Sequence, residues 1–139
     1  MVGVGQSLRE HSGESEKITI NLGYVDLGRI DLLVQEGFYA NRSDFIRTAI
    51  RNQFGAQADM IERSVARHTL DMGLCVYDAA TLEAARAAGE SLHIKVLGLA
   101  RIAPDVSPEL AKAAIASITV LGAFQASAAV KAALADRIR

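Results

Sequence analysis

From Lys17 the chain alternates strictly between apolar and polar residues. Ile18, Ile20 and Leu22 fall on one side, and Lys17, Thr19 and Asn21 on the other. A period of two predicts a short β-strand with one apolar face. Gly23 ends the alternation, and from Val25 the spacing becomes helical. Leu27, Ile30, Leu33 and Val34 share a stripe, with Asp26, Arg29 and Asp31 outside it. Gly37 stands where a helix C-terminal glycine belongs. After Phe38-Tyr39-Ala40, Asn41 with Asp44 three residues later is an N-terminal capping pattern. It heads a second helix whose stripe is Phe45, Ile46, Ala49, Ile50 and Phe54, with Arg42, Arg47 and Arg51 off the stripe.

The second half follows a longer period. Met60, Ile61 and Val65 predict a helical connection, and beyond Leu70 the sequence repeats. IKVLGLARIAPDVSPELAKA from Ile94 and ITVLGAFQASAAVKAALADR from Ile118 align without a gap at a spacing of 24 residues. Ile94/Ile118, Val96/Val120, Leu97/Leu121, Gly98/Gly122, Val106/Val130, Leu110/Leu134 and Ala111/Ala135 coincide, and a weaker copy starts near Gly73. Each unit reads as a strand, a glycine and a capped helix. Asp78, Ser107 and Ser127 stand at the N-cap positions, and Pro108 at a first helical position. This period falls in the range of solenoid units, which cover one another's apolar faces.

One strand and two short helices enclose too little apolar volume to fold alone. The economical solution is a dimer in which two strands pair antiparallel and four helices interlock. ITINL, a helix, and then GFYANRSDFIRTAIR resemble the ribbon-helix-helix DNA-binding proteins of the Arc/MetJ/CopG type over residues 17–54. Gly23 departs from the pattern, since these proteins often carry proline there. The resemblance implies that Lys17, Thr19 and Asn21 of both subunits read bases in the major groove. Their chemistry suits it: Lys donates to guanine, Asn bridges adenine, and Thr does either or meets a thymine methyl. It also implies that Asn41, Arg42 and Ser43, at the start of the second helix, sit on phosphate. The free N–H groups and positive dipole end of a helix favour the same contact.

Charge refines this picture only slightly. The whole chain is near neutral, at −1, which argues against blanket attraction to nucleic acid. Residues 17–56 hold five basic and four acidic side chains, so tight binding needs more than one dimer along the DNA. With Phe 4, Tyr 3 and Trp 0, the interior must be aliphatic and Ala-rich. The lone Cys75 gives no internal disulfide. The first residues lack the charged and apolar regions of a signal peptide, so a cytoplasmic location is expected. Residues 113–130 carry no charge, but their Ala, Ser, Thr, Gly and Gln content and their alignment with Lys95, Arg101 and Asp105 favour core or interface over membrane.

His68, Cys75 and His93 invite comparison with metal-sensing relatives, but they lack ligand spacing. No metal, cofactor, nucleotide loop or catalytic set is expected, and no enzyme. The predicted organisation is α+β: a tail over 1–15, a ribbon-helix-helix module over 16–56, a helical linker over 57–69, and a solenoid-like strand-helix repeat domain over 70–139 for oligomerisation or partner binding. The expected function is a repressor-like, homodimeric transcriptional regulator that binds double-stranded DNA. Two alternatives stand beside it: an antitoxin whose C-terminal half holds a protein partner, and a DNA-tethered polymerising scaffold.

Overall fold

A computed structural model describes residues 15–139. The expected tail over 1–15 lies outside the described residues, apart from Ser15. The fold is mixed, with six helices and three strands among these residues. The chain divides into two compact units, one up to Ile61 and the other from Glu62.

In the first unit, α1 spans Tyr24–Gln35 and α2 spans Arg42–Ala56. Gly37 closes α1 with φ +84°, a conformation that a Cβ would disfavour. The Gly37 and Phe38 amides donate to the Val34 and Leu33 carbonyls, the double bond of a Schellman end. Asn41 caps α2: its side chain accepts from the Asp44 amide at 2.8 Å, and the Asp44 carboxylate accepts from the Ala40 amide at 2.9 Å. Tyr39 and Phe45 pack edge to face across this turn, with ring centroids 5.0 Å apart.

Residues 17–22 are not a strand in the single chain, contrary to the sequence expectation. The reason is physical, because a strand exists only through hydrogen bonds to a neighbour and the described residues supply none there. Ile18, Ile20 and Leu22 are left 75%, 57% and 41% exposed.

Helix α3 spans Ala58–His68, and the division between the units falls inside it. In the second unit, β1 (Asp71–Tyr77), β2 (Leu92–Ile102) and β3 (Ile115–Gln125) form one parallel sheet in the order β1-β2-β3. Helices α4 (Ala79–Ala87), α5 (Pro108–Ala114) and α6 (Ala128–Ala133) follow the three strands in turn. Their N-caps are Asp78, Ser107 and Ser127, each accepting from the amide three residues on. The residues aligned at 24 are strand partners: Ile94 with Ile118, Val96 with Val120, Leu97 with Leu121, and Gly98 with Gly122. Gly73 pairs with Gly98 in the adjoining ladder.

One face of this sheet and the three helices make the core. Leu82, Val96, Ile115, Ile118, Val130 and Leu134 are fully buried there. Val120 and Phe124 pack against it while Leu121, pointing the other way, stays 56% exposed. The uncharged segment 113–130 is therefore the end of α5, the strand β3 and the start of α6. No described helix is long and apolar enough to cross a membrane.

Candidate nucleic-acid interface

The expected base-reading residues are all exposed. Lys17, Thr19 and Asn21 form no hydrogen bond or ion pair among the described residues. Their alternation with Ile18, Ile20 and Leu22 follows from the extended backbone, which carries successive side chains to opposite sides. Gly23 sits at φ −63° and ψ 152°, extended, and its carbonyl accepts from the Leu27 amide to start α1.

At the start of α2, Asn41, Arg42 and Ser43 lie together on the surface. The cap uses the Asn41 Oδ1, so the groups that can donate to an anion are the Asn41 side-chain NH2, backbone N–H groups of the first turn and the Ser43 hydroxyl. Arg42 has a partner that the sequence reading missed. Its Nε donates to Asp31 Oδ1 at 2.7 Å and its Nη2 to Asp31 Oδ2 at 2.8 Å, joining α1 to α2. The hydrogen bonds and charge of Arg42 hold the Asp31 carboxyl below the usual carboxylate range, and Asp31 in turn raises the guanidinium. Asp31 lies outside the α1 stripe, the one signal that could have marked it as a surface partner. A phosphate at Arg42 would have to share or displace this carboxylate. Arg47 and Arg51 are exposed further along the same helix.

The first unit has little interior of its own. Among its described residues Ile30 is the buried apolar one, whereas Leu32, Ile50 and Phe54 are 55%, 42% and 59% exposed. So large an apolar surface on so small a unit marks an interface.

The residues considered as metal ligands do not converge. Cys75 is half-buried in β1 against the core, and the exposed His93 shares a 2.7 Å hydrogen bond between Nδ1 and the Ser117 hydroxyl. Among the described residues, no group of three His, Cys, Asp or Glu side chains is placed to hold a metal.

Searches of curated proteins and of solved structures find no match for this chain. Its sequence does match the ribbon-helix-helix transcriptional regulator family over residues 13–131, which takes in the N-terminal helices and most of the sheet unit. The chain belongs to the ribbon-helix-helix transcriptional regulator family.

Proposed function

We propose that this protein is a cytoplasmic, repressor-like regulator that binds double-stranded DNA as a homodimer. Residues 17–22 of two copies pair antiparallel, burying Ile18, Ile20 and Leu22 between the helices. Lys17, Thr19 and Asn21 then face outward into the major groove, where such side chains discriminate bases. The start of α2, with Asn41, Arg42 and Ser43, sits on the flanking phosphates and fixes register. The carrying observation is the exposed alternation itself: three apolar side chains of one extended segment are bare, on a unit that among its described residues buries only Ile30. The reading assigns the chain no catalysis and no cofactor.

The second unit is read as a solenoid-like stack that joins dimers along DNA. The 24-residue ladder and the uncovered outer face of a parallel sheet favour this over the antitoxin alternative, since parallel sheets are ordinarily covered on both faces. Methylation interference on a duplex selected by the protein tests the central reading. Modification of guanine N7 should block binding at bases two or more half-sites apart. Interference confined to minor-groove positions would overturn it.

A further inference from the structure

The open edges of the sheet unit match each other. Gly73, Gly98 and Gly122 occur at equivalent places in the three strands and have φ values of +109°, +137° and +124°. A methyl group built on Gly98 would overlap the Gly73 carbonyl, and one built on Gly122 would overlap the Gly98 carbonyl. Each strand thus seats its glycine against the carbonyl of the strand before it. Gly73, on the edge strand β1, has the same conformation but faces open space, with nothing within 4 Å of its Cβ position. By the same repeat, the Gly122 carbonyl stands on the far side of β3, where the stack ends.

The lengths of the two edges agree as well. The outer edge of β3 is occupied at Ile118, which pairs with Ile138 through bonds to the Arg137 carbonyl and the Arg139 amide. If Gly73 of a second copy is set opposite Gly122, Asp71 falls opposite Val120, two residues beyond that contact. The short strand β1 then runs along the remaining edge as far as Gln125. Its outward residues Met72 and Leu74 meet Leu121 and Ala123, extending the rows Met72–Leu97–Leu121 and Leu74–Leu99–Ala123 already present within the chain.

We infer that the sheet unit stacks head to tail on a second copy of this chain, with β1 of one copy adding in parallel to β3 of the next at the Gly73–Gly122 register. This joint is open-ended and repeats, unlike an isologous pairing of two β1 edges. It deepens the assembly role proposed above and is independent of the ribbon and of DNA.

Disulfide trapping in the full-length chain tests it, with Cys75→Ser as the background. In the Leu74→Cys/Ala123→Cys variant the two positions lie two strands apart within one chain, about 9.6 Å at the usual strand spacing, beyond the reach of a disulfide. Across the inferred joint they are adjacent. Oxidation without DNA should give a ladder of covalent multimers on a denaturing gel, and the Met72→Cys/Leu121→Cys variant in the same register should do the same. Each single-cysteine variant should remain a single chain. A covalent dimer from Leu74→Cys alone would mean β1-to-β1 pairing and would overturn the head-to-tail joint. Single chains from both double variants would overturn it too, whatever mass the ribbon gives the native protein.

Discussion

Arg42 holds Asp31 through two parallel hydrogen bonds of 2.7 and 2.8 Å, tying the start of α2 to the middle of α1. Both side chains are exposed, so the pair positions the helices more than it stabilises them. Asp31 is held below its ordinary value, so the pair is intact above the usual carboxylate range and is lost as pH falls through the lowered value. In a carboxyl NMR titration, Arg42→Ala should move the Asp31 midpoint back up.

If Arg42 sits on phosphate as proposed, the same pair tunes DNA affinity. Arg42→Ala should weaken binding to all sequences alike and lower the salt slope by about one, the signature of a lost phosphate contact. Asp31→Asn should act in the opposite sense, freeing the guanidinium and tightening binding to random duplex. Binding isotherms over a salt series check both. A change of base preference in Arg42→Ala would contradict the phosphate role.

Replacing Ile20 with Asp should abolish the dimer. The site is exposed in one chain but enclosed in the proposed pair, and an unpaired polar group there costs several kcal/mol, more if ionised. Sedimentation of this variant should show loss of ribbon-dependent dimer and of DNA binding together, with the sheet unit still folded by circular dichroism.

Two glycine replacements should move stability in opposite directions. Gly98→Ala forces a methyl against the Gly73 backbone at φ +137° and should destabilise by at least about 1–3 kcal/mol, the cost of a strained backbone alone. Gly28→Ala, inside α1 with nothing within 4 Å of its Cβ position, should stabilise by about 0.5–1 kcal/mol. Thermal unfolding of the two variants measures the contrast.

Periodicity carried most of the fold. The 3.6-residue stripes marked α1 and α2, the Asn41–Asp44 pattern marked their junction, and the 24-residue repeat placed Ile94 and Val96 beside Ile118 and Val120. These are local or repetitive signals, which a single sequence can hold. The Arg42–Asp31 pair was not legible, because two exposed charges 11 residues apart meet only once the turn at Gly37 sets the helices together. Residues 17–22 were visible as an alternating pattern, but they form no strand in the single chain, because in the proposed dimer the pairing hydrogen bonds come from a second copy.

The most direct measurement of DNA reading is selection of bound duplexes from a random pool. It compares the full-length protein with the Lys17→Ala/Asn21→Ala variant, each lost base contact being worth about 1–3 kcal/mol of discrimination. The native protein should enrich one short, two-fold-related motif, and the variant should bind without enriching it. Enrichment of the same motif by both proteins, or of none by the native protein, would contradict the account.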